Sequence, residues 1–278
     1  FKCPRCFSGS ASQQQLFDEC GIDKLLDNAL KGAPVCVFLF GETDSGKSYT
    51  MFGNQRGGGA NERSAGLISR SIKLISETLS NSDTEFKLKL SCIDIVAEEV
   101  FDLLVDSAGG NFSLDVLKRE ETGEYIVDQV TKVDCTDPTA AVSVLDRINH
   151  MRTATSSSRG KRCHCVTQLF IETVGMNDDG VKELASLGTI SFVDLISSEG
   201  LRMDRNDITD HYDHSLFVLS KVIDGIERQN NDGFNISDRV LTRLMNQSIG
   251  IRSRCLLISC ICEGRFHIAE TLKTIQFR

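Results

Sequence analysis

A glycine-rich octapeptide lies between an apolar run and a helix-like segment. Residues 41–48 read GETDSGKS, a full match to the pattern G-x-x-x-x-G-K-[ST], and the apolar run 35–40 leads into them. A strand, a glycine-rich turn and a helix start in that order bring backbone N–H groups together at the positive end of a helix, where phosphate binds. In such a loop Lys47 bridges the β and γ phosphates and Ser48 ligates Mg²⁺. The octapeptide therefore predicts a P-loop for a nucleoside triphosphate.

Strand-like and helix-like segments alternate along the rest of the chain. The predicted strands are 35–40, 86–95, 166–174, 188–195 and 255–262. The predicted helices are 13–31, 46–52, 65–80, 138–152, 210–229 and 238–248, and the predicted loops are 53–64, 105–112, 157–162 and 229–235. Alternation of this kind predicts an α/β sheet covered on both faces. No repeat or proline-rich linker divides the 278 residues, so we expect a single domain.

Composition excludes several classes of partner. The formal net charge of -8 argues against a general affinity for nucleic acid or anionic membrane. The apolar runs are far shorter than the ~18 residues of a membrane span, and the first residues carry no secretory pattern. Eleven cysteines, many inside apolar runs, fit a reducing cytosol.

A zinc site is an alternative use of some cysteines. Cys3 and Cys6 form a C-x-x-C pair, and Cys163, His164 and Cys165 lie together further along the chain. A structural zinc site requires a second pair at ligand spacing, so this pattern alone is a weak signal.

Five segments in order resemble the kinesin motor domain family. Residues 41–53, GETDSGKSYTMFG, resemble GQTGSGKTYTMxG, and residues 91–104, SCIDIVAEEVFDLL, resemble SYxEIYNExVxDLL. The other three segments are DLISSE for DLAGSE, LTRL for LTRLL and ETLKTIQF for ETLxTLxF, at 194–199, 241–244 and 270–277.

The resemblance implies a fold and an extent. The expected fold is a P-loop NTPase domain of kinesin type, with a central mixed, mostly parallel β-sheet and helices on both faces. Residues 1–278 would form one motor domain that lacks the family's first strand, last helix and neck linker. The missing first strand would leave the strand near 255–262 at an unpaired sheet edge.

Nucleotide-binding and catalytic residues are also implied by the resemblance. ATP or ADP would bind with Mg²⁺, Tyr49 would lie beside the base, and Ser48 and Asp194 would hold the metal. Arg162 of switch I and Glu199 of switch II would pair to close the site around the attacking water. The nucleotide-binding residues would be Gly41, Glu42, Thr43, Asp44, Ser45, Gly46, Lys47, Ser48, Tyr49 and Ser197.

Switch I departs from the family pattern NxxSSRSH. Alignment on His164 keeps Arg162 but replaces the two phosphate- and metal-contacting serines with Gly160 and Lys161. A lysine cannot ligate a cation, so Mg²⁺ would lose a ligand. A second alignment stays open, in which residues 157–159, SSR, occupy the SSR positions of the pattern. This alignment requires a gap before His164.

Three further departures lie near the phosphates. Ser197 replaces the glycine that senses the γ-phosphate in this family. Because serine has less backbone freedom than glycine, the backbone flip at this position is expected to be restricted. Glu42 replaces glutamine and Asp44 replaces a small residue. A carboxylate ~4 Å from a phosphate oxygen costs up to ~4 kcal/mol at an effective dielectric near 20, so weaker nucleotide binding is expected.

The segment that faces the microtubule in this family has become acidic. Between residues 199 and 250, nine acidic residues stand against six basic ones, a net charge of -3. Four of the acidic residues recur at every third position: Asp204, Asp207, Asp210 and Asp213. Arg239 and Arg243 are the retained microtubule-facing arginines, and we expect weak binding because tubulin is acidic.

Three functions are compatible with the sequence. The chain is an ATP-hydrolysing microtubule motor, or a degenerate kinesin with impaired ATPase that serves as a binding scaffold, or an unrelated P-loop NTPase. The altered switches favour the second. Its expected partners are microtubules, with no nucleic acid or membrane, and any dimer would form through segments absent here. The expected location is the cytoplasm, on the cytoskeleton.

Overall fold

A computed structural model describes residues 5–54, 62–82, 84–105, 112–159, 163–176, 182–200, 211–227, 239–249 and 253–277. Their strands are β1 (Val35–Gly41), β2 (Glu85–Val96), β3 (Glu99–Asp102), β4 (Val116–Lys118), β5 (Tyr125–Val127), β6 (Val133–Asp134), β7 (His164–Met176), β8 (Lys182–Asp194) and β9 (Arg254–Cys260). Their helices are α1 (Gln13–Glu19), α2 (Ile22–Leu30), α3 (Lys47–Phe52), α4 (Leu67–Asn81), α5 (Pro138–Arg159), α6 (His211–Glu227), α7 (Val240–Ile249) and α8 (Ile268–Gln276). None of the described helices is long and apolar enough to cross a membrane.

Seven strands form the central sheet, in the order β3-β2-β7-β8-β1-β9 with β6 paired to β2. The sheet is mixed, as predicted, but the expectation of mostly parallel pairing is wrong for the described strands. Among the described strands of this sheet, the parallel pairings are those of β1 with β8 and with β9, and the other four pairings are antiparallel. Two of these pairings, β2–β3 and β7–β8, join consecutive strands with short connections, which permit only antiparallel pairing.

Strand β1 lies between two hydrophobic cores and contributes side chains to both. All seven of its residues are buried. Val35, Val37 and Leu39 pack with residues of α2, α4 and α5, whereas Cys36, Phe38 and Phe40 pack with residues of α6 and α7. Alternate side chains of a strand point to opposite faces, so the predicted helices on both faces are confirmed.

Several boundaries differ from the sequence prediction. The predicted helix 13–31 is two helices, because Gly21 adopts a left-handed φ of 85° between α1 and α2. Helix α5 continues through Arg159, into residues predicted to form a loop. Helix α8 and the short strands β3 to β6 were not predicted as such, since short elements give little periodicity to detect.

Candidate functional site

The P-loop follows β1 directly, as the octapeptide predicts. Gly41 ends β1 where the strand lies against β9, and a Cβ there would stand 1.9 Å from the carbonyl oxygen of Cys260. Gly46 precedes α3 with a φ of 99°. Asp44 also has a positive φ, 61°, which aspartate tolerates better than most residues but at some cost. The substitution predicted to weaken phosphate binding therefore also strains the loop.

Lys47 folds back over the loop that precedes it. Its Nζ donates hydrogen bonds to the carbonyl oxygens of Gly41 and Glu42, at 2.8 and 2.7 Å. Burial lowers the pKa of Lys47, although nearby acidic groups, Asp194 foremost, oppose the shift. A phosphate at the predicted position would have to replace these carbonyl contacts of the ammonium.

Ser48 and Asp194, the two predicted metal residues, lie in direct contact. The Ser48 hydroxyl donates to Asp194 Oδ2 at 2.8 Å. They meet because the parallel register of β1 and β8 places Asp194 beside Leu39. The other carboxylate oxygen, Oδ1, is buried and accepts no hydrogen bond within the described part of the chain. A hydroxyl and a carboxylate are ligands that suit Mg²⁺, so these residues fit the predicted metal.

Arg152 of α5 is a member of this site that the sequence prediction missed. Its guanidinium donates to Asp194 Oδ2 at 2.7 Å and lies 4.6 Å from the ring centroid of Phe52. The side chains of Arg152 and Asp194 are 18% and 5% exposed. A signal was present, since Arg152 shares a helical face with the buried Leu145 and Ile148. An arginine on an apolar stripe indicates a buried charge pair.

Glu199 contacts the P-loop. The backbone N–H of Thr43 donates to Glu199 Oε1 at 2.7 Å. Burial tends to raise the pKa of Glu199, but hydrogen bonds from Ser197 and Thr43 outweigh it and lower the pKa. Its predicted partner, Arg162, lies outside the described residues, as do Gly160 and Lys161. Glu199 therefore puts a negative charge on a loop amide beside the predicted phosphate position.

Glu42 and Tyr49 occupy different surroundings. The Glu42 carboxylate is buried and Oε2 lies 2.8 Å from His267 Nδ1, in the connection between β9 and α8. The Tyr49 side chain is exposed on α3, which leaves it accessible to a base. The nucleotide-binding roles of both residues stay predictions.

Arg239 and Arg243 lie at the start of α7. Arg239 is 4.0 Å from Glu98 Oε1, and the backbone N–H of Val240 donates to Glu98 Oε2 at 2.8 Å. Glu98 thus caps α7 and partly neutralises Arg239. Asp204, Asp207 and Asp210 lie outside the described residues, as does the Asp213 side chain.

The described part of the chain does not bring the remaining residues of the zinc alternative together as one group of ligands. Cys3 lies outside the described residues, and His164 is buried, with Nε2 2.8 Å from the Ser215 hydroxyl. Cys165 is buried beside Cys92, at an Sγ–Sγ distance of 3.6 Å. Among the described residues, potential metal ligands gather instead at Glu42, Cys262 and His267.

Comparisons with known proteins agree with this architecture. The family model "Kinesin motor domain" matches residues 1–278. The chain is 29% identical over 282 residues to the chromosome-associated kinesin KIF4 of Gallus gallus, covering 98% of this chain and 23% of the relative. It is 30% identical over 283 residues to the kinesin-like protein KIF1C of Homo sapiens, covering 96% of this chain and 25% of the relative. The chain thus spans about a quarter of the length of these relatives.

A solved structure of a fast kinesin has the same fold. It superposes with a TM-score of 0.83 at 24% identity, covering all of this chain and 78% of that one. The likeness confirms the predicted P-loop fold of kinesin type. With the family model matching the whole length, the chain belongs to the kinesin motor domain family.

Proposed function

We propose that residues 1–278 act as one motor domain that binds ATP or ADP with Mg²⁺, hydrolyses ATP slowly and binds microtubules weakly, in the cytoplasm on the cytoskeleton. The observation that carries the proposal is the order β1, P-loop, α3, with Lys47 and Ser48 facing Asp194. Kinesin motor domains in general bind nucleotide with Mg²⁺.

The chain's own residues have defined tasks in this proposal. The amides of the loop and the Lys47 ammonium bind the phosphates, and Ser48 and Asp194 hold Mg²⁺ directly or through its water shell. When bound, the metal neutralises charge that develops on the phosphoryl oxygens. Because Arg152 and Ser48 both donate to Asp194 Oδ2, the carboxylate atom left for the metal is Oδ1, which accepts no hydrogen bond in the described part of the chain.

Slow turnover is supported by charges already present at the loop. Glu199 accepts the Thr43 N–H, and Asp194, Glu199 and Asp44 all act on the Lys47 ammonium. A phosphate must compete with these carboxylates for the same donors. The same contacts favour the alternative of a scaffold that rarely holds nucleotide, whereas retention of Lys47, Ser48 and Asp194 favours an active motor.

Weak microtubule binding is supported by charge. The pairing of Arg239 with Glu98 removes part of the attraction that two arginines would offer. The segment 199–250 has a net charge of -3, and attraction between exposed charges is screened beyond ~8 Å at physiological ionic strength. We therefore propose a residual contact that salt disrupts.

Replacing Lys47 by alanine is expected to weaken the binding of ADP and ATP at least about tenfold, or ~1.4 kcal/mol. The reason is loss of the one P-loop ammonium that can bridge the phosphates. Calorimetric titration in the presence of Mg²⁺ measures the change. Lys24→Ala is the matched control, since Lys24 is exposed on α2. Equal affinities in wild type and Lys47→Ala would reject the P-loop as the nucleotide site.

Steady-state ATP turnover is expected to be at least about tenfold below that of an ordinary kinesin, a barrier higher by ~1.4 kcal/mol. Microtubules should stimulate it little. Lys161→Ser combined with Ser197→Gly should raise the rate, because it returns a metal-ligating hydroxyl and a flexible glycine. Phosphate release with and without microtubules is the measurement. Robust stimulation of the unaltered protein would instead establish the active motor.

A further inference from the structure

Three potential metal ligands meet beside the P-loop. Carboxylate oxygen of Glu42, Sγ of Cys262 and a ring nitrogen of His267 all lie within 4.8 Å of one another. Glu42 directly follows β1, whereas Cys262 and His267 belong to the connection from β9 to α8. The parallel register brings them together, because Gly41 pairs with Cys260. These residues include neither Ser48 nor Asp194.

We propose that Glu42, Cys262 and His267 form a binding site for a transition-metal cation of the Zn²⁺ class. Thiolate, imidazole and carboxylate are the donors that Zn²⁺ takes in proteins. Three protein ligands leave the fourth tetrahedral position for water. A thiolate disfavours Mg²⁺ and Ca²⁺, which take oxygen ligands. The donor set therefore separates this site from the nucleotide's metal.

The Glu42 carboxylate is an independent indication of a ligand. Its side chain is 7% exposed, and Oε1 is buried with no hydrogen bond of good geometry in the described part of the chain, although the thiol and backbone N–H of Cys262 are close enough to act on the carboxylate. Buried polar atoms are rarely left unsatisfied, because desolvation without a partner costs free energy. A cation between Glu42 and its two neighbours would satisfy this oxygen.

The other two ligands, Cys262 and His267, are accessible to a cation from solvent, and His267 already lies close to Glu42. The His267 side chain is 43% exposed and its Nδ1 already lies 2.8 Å from Glu42 Oε2. Cys262 is half-buried. Binding replaces the proton on the Cys262 sulfur by a bond to the metal and releases it to solvent, whereas the neutral His267 ring keeps its one proton on the nitrogen that does not bind the metal. No oxidant or reductant is needed.

Occupancy would connect the first residue of the P-loop to the segment that leads into α8. Cys262 and His267 are separated by four residues, which include the start of the 3₁₀ turn Arg265–His267. That turn contacts α8. The site thus adds a cross-link between two parts of the chain that are more than 200 residues apart in sequence.

Cobalt titration of the metal-free chain, without nucleotide, tests the proposal. We expect one equivalent of Co²⁺ to bind with a thiolate-to-cobalt charge-transfer band, and Zn²⁺ to displace it. Cys262→Ser should remove the band. Glu42→Gln and His267→Gln should each weaken cobalt binding at least about tenfold, because even residues that only hydrogen-bond to a metal ligand change metal affinity by that factor. Binding by Cys262→Ser equal to wild type would overturn the proposal.

Matched controls distinguish this site from other thiols and from the nucleotide's metal. Cys6→Ser and Cys163→Ser should keep the band, and excess Mg²⁺ should leave it unchanged, because Mg²⁺ takes oxygen ligands. Protection of Cys262 from alkylation by Zn²⁺, read by mass spectrometry on the unaltered chain, provides a measurement that needs no variant. Alkylation of Cys262 at the same rate with and without Zn²⁺ would contradict the proposal.

Discussion

Arg152→Ala is expected to lower the free energy of unfolding by about 3–5 kcal/mol. The substitution leaves the Asp194 carboxylate buried without the guanidinium that contacts it at 2.7 Å. It also removes the contact with the Phe52 ring. Burial alone would lower the pKa of Arg152, but the neighbouring Cys165 and Asp194 outweigh it and raise the pKa. The arginine is thus held as a cation in the interior, and its loss is costly.

Urea unfolding of wild type and variants measures this effect. Arg119→Ala is the control, because Arg119 pairs with Glu124 at 3.6 Å on the surface, and exposed pairs contribute about 0–1 kcal/mol. Combining Arg152→Met with Asp194→Asn should recover part of the loss, since no buried charge then lacks a partner. Equal losses in Arg152→Ala and Arg119→Ala would show that the buried pair is not important for stability.

Acidification is expected to destabilise the domain through His164, by about 3 kcal/mol once pH falls below the folded-state pKa. Burial lowers the pKa of His164 from 6.5 to about 4, against a weaker opposing effect of Asp194. Nδ1 accepts the backbone N–H of Ile196 at 3.2 Å, so Nε2 carries the proton and donates to Ser215. The folded state therefore holds the neutral ring, which a second proton would disrupt.

The direction of this pH dependence follows from the protonation of His164 in the folded and unfolded states. Below its unfolded pKa of about 6.5 His164 takes up a proton when unfolded but not when folded, so stability falls as pH decreases from there to about 4. Urea unfolding at about pH 7.5 and about pH 4.5 measures the slope. Carboxyl groups also contribute to acid unfolding, so His164→Gln is the reference and should show a shallower slope. Identical slopes would contradict the assignment.

Local patterns made part of the site predictable. The apolar run 35–40 and the octapeptide after it are contiguous, so strand, loop and helix start could be placed from neighbouring residues alone. Asp194 was predicted from the five-segment resemblance, and its contact with Ser48 follows from the parallel pairing of β1 and β8. Backbone register thus brought two predicted residues together without further information.

Long-range side-chain contacts were not predictable from the sequence. Arg152 meets Asp194 across 42 residues, and Glu42 meets His267 across 225. Their partners depend on how α5 and the connection after β9 pack on the sheet, which periodicity does not encode. The expectation of a mostly parallel sheet came from the family resemblance, whereas the lack of a predicted helix between strands 166–174 and 188–195 already favoured the antiparallel pairing of β7 and β8.

The parallel register of β8, β1 and β9 has a thermodynamic consequence. Parallel strands end at one edge of the sheet, so Asp194, the P-loop and the segment after Cys260 share a rim. A cation that draws Glu42 toward Cys262 and a phosphate that draws Lys47 away from the Glu42 carbonyl act on the same few backbone bonds. If the cation changes the affinity for the phosphate by some factor, the phosphate changes the affinity for the cation by the same factor, because coupling free energies are reciprocal.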